Sequence, residues 1–117
     1  MQISQNFTRS EFACKCGCGF DTVDHELIQL LEKVRAHFNQ PVRINSGCRC
    51  ATHNTNIGGS KNSQHLYGRA ADITVDHNRA ADVYAYLETL NPAGLGLYSN
   101  WVHVDTRSNA NARWDKS

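Results

Sequence analysis

The sequence predicts an α+β fold, a small antiparallel sheet with flanking helices, on three observations. Two stretches carry apolar residues at helical spacing, others alternate as strands do, and the two kinds follow one another in mixed order with a hairpin-like pair near the C-terminal end. With 117 residues, the chain is long enough for one hydrophobic core and too short for two, so residues 1–117 are expected to form a single domain.

Thr8-Arg9-Ser10-Glu11 has the form of a capping box and predicts a short helical turn, which the Cys/Gly-rich stretch Cys14 to Gly19 then breaks. From Asp24 to Phe38 the apolar positions Leu27, Leu30, Leu31, Val34 and Phe38 recur at three and four residues, an amphipathic helix. Asp24 or Thr22 serves as its cap, and Pro41 lies just past its end. Val42-Arg43-Ile44 alternates like a strand, whereas Cys50 to Asn62, rich in Asn, Thr, Gly and Ser, reads as a loop. Ala70 to Asp76 is a strand with Asp72, Thr74 and Asp76 on one face and Ile73 and Val75 on the other. Ala80 to Leu90 is a second amphipathic helix, with Val83, Tyr84, Leu87 and Leu90 facing inward. Leu95–Tyr98 and Trp101–Thr106 form a hairpin around Ser99-Asn100. The polar tail after Arg107 is expected to be loosely held, apart from Trp114.

Composition excludes several classes of function. A formal charge of +1 with no basic run gives no electrostatic footprint for nucleic acid. No apolar stretch is long enough to span a membrane. Met1 to Asn6 lacks the basic start and hydrophobic stretch of a secretory signal, so synthesis in the cytoplasm is expected.

His65, Asp72 and His103 are the residues with the most specific chemistry. A catalytic zinc takes three protein ligands and keeps a fourth position for water, and two imidazoles with one carboxylate leave the ion enough charge to acidify that water. The gap of seven from His65 to Asp72 is too long for one helical face. It suits a loop residue followed by a strand residue, with Gly68 allowing the turn between them. His65 follows a polar loop, an improbable setting for a core histidine. Asp72 sits beside Ile73, where a carboxylate without a partner would be costly to bury. His103, between Val102 and Val104, would alone read as a structural strand histidine; with the other two it reads as a ligand. His25, His37, His53 and His77 have no such partners.

The blocks Ser63-x-His65-(x)3-Gly68-x-Ala70-x-Asp72 and Trp101-Val102-His103-x-Asp105 resemble those of the M15 family of zinc D,D-peptidases. Asn45-Ser46-Gly47-x-Arg49-Cys50, His53-Asn54 and Gly58-Gly59 precede them, as in the family's short, phage-associated branch. The resemblance runs from about Phe7 to Trp114. It implies a peptidase domain of the M15/hedgehog type, Zn2+ held by His65, Asp72 and His103, and action as a monomer on peptidoglycan stem peptides. The cleavage would be that of a D-Ala-D-Ala carboxypeptidase or an endolysin-type endopeptidase. Arg49 matches the arginine that contacts the substrate carboxylate or polarises the scissile carbonyl, and Ser63 a serine at the substrate. A phage enzyme of this kind would accumulate in the cytosol until a separate pore-forming protein opens the membrane.

One position departs from the family. The vancomycin-resistance dipeptidases place an acidic base three residues before the last histidine, where this chain has Asn100. Asp105, two residues after His103 and so on the same side of a strand, is the candidate base; it could equally hold an imidazole in its ligating tautomer. Asp76, on the face of Asp72, is an outside possibility. Tyr67, Tyr98 and Trp101 are candidates to wall the cleft. The missing acid favours a rival function, a non-catalytic zinc-containing phage structural or wall-binding module; a hedgehog-type signalling fold is a third. The five cysteines, Cys14, Cys16, Cys18, Cys48 and Cys50, admit reduced thiols, a disulfide between the two clusters or a structural metal. Against the metal stands the spacing, since structural zinc sites separate their cysteines by two or more residues.

Overall fold

The computed structural model describes residues 2–15, 18, 23–47, 49–57, 64–107 and 111–117. After a 3-10 turn at Arg9–Phe12 come helix α1 (His25–Phe38), strand β1 (Val42–Ser46), the short helix α2 (Ala51–Asn56) and a 3-10 turn at Gln64–Tyr67. Strand β2 (Ala70–Val75), helix α3 (Ala80–Thr89) and strands β3 (Gly94–Tyr98), β4 (Val102–Asp105) and β5 (Ala112–Lys116) complete the chain. The strands form one sheet in the order β1-β2-β4-β3-β5, antiparallel except for the parallel pair β3/β5. This is the α+β class the sequence predicts. No helix among the described residues is long and apolar enough to cross a membrane.

Local chemistry accounts for the elements. The Thr8 backbone N–H donates to Glu11 Oε1 at 2.8 Å, the reciprocal half of a capping box. Asp24 is the N-cap of α1, but its carboxylate does not cap; it accepts from the Thr106 hydroxyl at 2.6 Å and ties the helix start to the end of β4. Thr22, the other expected cap, lies outside the described residues. Asn39 ends the helix in the left-handed conformation (φ 51°), which asparagine tolerates. Leu27, Ile28, Leu31 and Val34 of α1 pack with Val83 and Leu87 of α3 on one face of the sheet, where Ala71, Ile73, Val75, Val102 and Val104 meet them. Phe7 and Phe12 close the core from the N-terminal segment, with ring centroids 6.0 Å apart.

Two expectations are corrected. The stretch read as loop contains α2, whose Asn- and Thr-rich composition gives no helical signal. Its buried Asn54 accepts from Arg49 Nη1 at 3.2 Å, so tertiary context overrides propensity. The tail read as loosely held forms β5, which pairs with β3 along its length and is clamped to α3 by Arg113 Nε to Glu88 Oε2 at 3.0 Å. An edge strand with one large side chain carries little apolar alternation, which is why the sequence conceals it.

Candidate functional site

The polar face of the sheet holds the site, and strand register builds it. Asp72 on β2 stands directly across from His103 on β4, which in turn faces Gly96 on β3. Asp105, two residues along β4, points to the same side and faces Gly94. Both glycines are required. A Cβ at Gly94 would overlap the Asp105 carboxylate, and one at Gly96 would overlap the Trp114 indole. His65 arrives from the 3-10 turn, and Gly68 (φ 67°) supplies the left-handed residue that returns the chain into β2. Between Ile44 and Ser46 the register slips by one residue, so Asn45 is an extra residue in β1 and the strand bends where it meets the site.

His65 (2% exposed) and His103 (8%) are buried, and their ring centroids lie 5.3 Å apart. His65 Nδ1–H donates to the Gly47 carbonyl at 2.5 Å; a carbonyl only accepts, so the proton sits on Nδ1 and Nε2 is the atom turned to Asp72, 3.3 Å from Oδ1. His103 Nδ1 lies 3.0 Å from the same Oδ1. One ligand atom from each of His65, Asp72 and His103 lies within 4.8 Å of the others. A tetrahedral zinc with ligands at about 2.0–2.1 Å separates neighbouring ligand atoms by about 3.3–3.4 Å, which the His65–Asp72 edge matches and the His103–Asp72 edge approaches to within about 0.3 Å. Two imidazoles and a carboxylate are also a donor set such an ion takes.

Asp105 lies behind His103, fully buried, with His103 Nε2 2.7 Å from Oδ2. Arg107 grips the same carboxylate from the other side through Nε (2.9 Å to Oδ1), Nη2 (2.7 Å to Oδ2) and its backbone N–H (3.1 Å to Oδ1). Burial alone would raise the Asp105 carboxyl; hydrogen bonds from Arg107 and His103 outweigh it and hold the group well below the usual carboxylate range. The balance is the same at Asp72, where burial is overcome by hydrogen bonds from His103 and His65. At His103 burial disfavours the cation, but its bonds to Asp105 and Asp72 prevail and raise the ring's pKa.

Arg49 is brought to the edge of the cluster. Its Nη2 lies 3.4 Å from Asp72 Oδ2, while Nε donates to Ser46 Oγ at 3.1 Å and its backbone N–H donates to the His65 carbonyl at 2.9 Å. Burial lowers its pKa, against the opposing pull of Asp72, Tyr98 and Cys14. Tyr98 and Trp101 stack at 4.7 Å. Asp76 is not brought in; its carboxylate pairs with Arg43 at 2.7 Å. His25, His37 and His77 are exposed, His37 stacking on Tyr86 at 3.8 Å. Ser63 and the side chains of His53 and Tyr67 lie outside the described residues.

Sequence reasoning missed the Gly47 carbonyl, Arg107 and the placement of Trp114. The Trp114 ring lies 5.0 Å from that of His103 and 5.6 Å from the Arg107 guanidinium carbon, and its Nε1–H donates to the Tyr98 hydroxyl at 3.0 Å. Arginine two residues after Asp105 was a readable signal for a carboxylate partner; a backbone carbonyl leaves none.

Residues 5–105 match the family model for Peptidase M15. Over 72 residues the chain is 35% identical to the zinc D-Ala-D-Ala carboxypeptidase of Streptomyces albus G, a stretch covering 56% of this chain and 28% of that protein. Over 94 residues it is 30% identical to the probable peptidoglycan L,D-endopeptidase MepK of Haemophilus influenzae, covering 72% of this chain and 50% of the relative. The match thus spans half or less of each relative's length. With the family model covering all but the two ends, the chain belongs to the peptidase M15 family.

Proposed function

We propose that this chain is a single-domain zinc metallopeptidase that hydrolyses amide bonds in peptidoglycan stem peptides, as a D-Ala-D-Ala carboxypeptidase or an endolysin-type endopeptidase. The observation that carries the reading is the convergence of His65 Nε2, Asp72 Oδ1 and His103 Nδ1 on one point of the polar sheet face. Family membership and the activities named for the two relatives support it. His65, Asp72 and His103 would hold a zinc ion there, which would supply Lewis acidity toward an amide carbonyl and lower the pKa of a water.

The chain's own residues do the rest. The Gly47 carbonyl keeps the His65 proton on Nδ1, and Asp105 keeps the His103 proton on Nε2, so each ring offers its other nitrogen as a ligand. Arg107 neutralises Asp105 and fixes its rotamer. Arg49 presents a guanidinium fork at the rim of the site, suited to a substrate carboxylate or to charge developing on the scissile carbonyl oxygen. Ser63, two residues before His65, is assigned to substrate on the motif alone.

A general base works best with a pKa near the operating pH. Asp105, gripped by two partners and held far below that range, therefore acts in this reading as a positioning residue. That commitment also favours a second reading, a wall-binding module that keeps the metal and does not turn over. Incubation of zinc-loaded protein with muropeptides, followed by mass spectrometry, separates the two. Cleavage at one bond class, abolished by EDTA, is expected; intact substrates across all stem-peptide types, with fragments still bound, would leave the module. The expected route to the wall is tested by expression. Cells should stay intact until their membrane is permeabilised and lyse thereafter.

A further inference from the structure

Three sulfurs converge in a group distinct from the His65, Asp72 and His103 set. Cys14 follows the first 3-10 turn, Cys18 lies four residues on, and Cys50 belongs to the segment that leads from β1 into α2. Their Sγ atoms all lie within 4.8 Å of one another, and Cys14 and Cys50 are 3.8 Å apart. Cys14 is buried, Cys50 half-buried and Cys18 exposed. We propose that Cys14, Cys18 and Cys50 are thiolate ligands of a second, structural zinc ion.

Geometry separates this reading from a disulfide, and the metal analysis below separates it from reduced thiols. A disulfide needs about 2.05 Å between sulfurs and joins only two of them. Thiolates on a tetrahedral zinc at about 2.3 Å stand about 3.8 Å apart, the separation measured between Cys14 and Cys50. The structure also answers the objection from spacing. The pair drawn from the first cluster is Cys14 and Cys18, with three residues between them, inside the range structural zinc sites use. The Cys50 backbone N–H points at Cys14 Sγ from 3.4 Å, a donor that supports sulfur in its anionic form. Cys14 lies within electrostatic reach of the Arg49 guanidinium, which offsets thiolate charge. An all-sulfur set selects a soft or borderline ion, and redox-silent zinc tolerates the tetrahedral arrangement without further demand. The described residues supply three of the four positions that a tetrahedral site takes.

Such an ion would link the N-terminal segment to a position 36 residues away and fasten the backbone beside Arg49. Arg49 is bonded in turn to the His65 carbonyl and to Asp72, so the thiolate site would brace the rim of the peptidase centre.

Metal analysis and cobalt substitution of the full-length protein, purified under reducing conditions, test the proposal. Wild type should bind two zinc ions per chain, and Cys14→Ser, Cys18→Ser and Cys50→Ser one each, with a melting temperature lower by about 10 °C. Cobalt should give a sulfur-to-metal charge-transfer band that persists in His65→Ala and disappears in Cys14→Ser, so the two centres are read separately. If the cysteine variants do not fold, the wild-type cobalt spectrum decides. A single zinc with no such band would overturn it.

Discussion

Ile73 and Asp72 are neighbours in one strand, yet they enter opposite environments. On the helix side, Ile73 joins Ala71, Val75, Val102 and Val104 in a core where each large side chain contributes roughly 1.5–3 kcal/mol by leaving water. On the other side, Asp72, His103 and Asp105 are also withdrawn from solvent, but as ionisable groups whose desolvation is offset by one another, by His65, by Arg49 and by Arg107. The first face stabilises without needing a ligand. The second contributes little net stability and holds donor atoms at separations that suit a metal. A two-residue period thus divides the labour of the sheet, and mutations on the two faces should fail in different ways.

The largest separation is expected at the ligands. His65→Ala, Asp72→Ala and His103→Ala should each lose the zinc of this centre and about 10³-fold in turnover, the scale of several kcal/mol of Lewis-acid stabilisation. His25→Ala and His77→Ala should keep both. A ligand variant that retains zinc with native affinity removes that residue from the set.

Ile73→Ala probes the other face. Its cavity should lower unfolding free energy by about 2–5 kcal/mol in a denaturant titration, while zinc affinity of the folded protein stays at the wild-type value. An affinity loss comparable to that of Asp72→Ala would show that the faces are coupled through the strand.

Asp105→Asn tests how the polar face is organised. Loss of an imidazole-orienting carboxylate typically costs about 10- to 100-fold in metal affinity, and turnover at saturating zinc should largely survive. Turnover abolished with zinc still bound would make Asp105 the base after all.

Protons compete with the metal for the same atoms, which gives the polar face a pH signature that the apolar face lacks. The His103 pKa is raised in the metal-free chain, and ligation requires Nδ1 without its proton. Zinc affinity should therefore rise with pH, by about tenfold per unit, until the folded pKa of His103 is passed. Stability of the metal-free protein follows the signs of the shifts. The raised His103 contributes fully below its unfolded value of about 6.5, and the contribution is lost as pH rises through its folded value. Asp72 and Asp105, both lowered, contribute above about pH 3.9 and lose that contribution as pH falls through their folded values. Thermal melts with and without chelator should show the alkaline loss only in the metal-free protein. Its absence there would mean that the ring is not protonated between the two carboxylates.

Legibility in the sequence follows the same division. The apolar face repeats at short intervals, so α1, α3 and the strand patterns of β2 and β4 are visible in the chain. His65, Asp72 and His103 are visible because ionisable residues beside apolar ones demand a partner. What supports them is less visible. The Gly47 carbonyl that orients His65 is a backbone atom with no residue signature, and Arg107, though its spacing from Asp105 signals a carboxylate partner, shows its weight only once Asp105 is seen to be fully buried. Asp105 itself was readable as either base or positioner, and burial with bidentate pairing, neither of which a sequence records, favours the second. Helix α2 escaped notice because its Asn- and Thr-rich composition carries no helical signal, and strand β5 because it is held by a long-range contact, Trp114 over Gly96.

Strand β5 supplies the smallest and most diagnostic test. It lies beyond the stretch matched by the family model, yet it carries Trp114 over Gly96 and beside His103. If β5 only covers the polar face, Trp114→Phe, which keeps an aromatic ring and deletes the hydrogen bond from Nε1–H to the Tyr98 hydroxyl, should cost about 1 kcal/mol in unfolding free energy. Zinc affinity should then change less than in Asp105→Asn, because no ligand atom and no proton on a ligand ring depends on the indole. An affinity loss exceeding that of Asp105→Asn would place β5 within the metal centre, since the ring would then be holding His103 in place rather than shielding it.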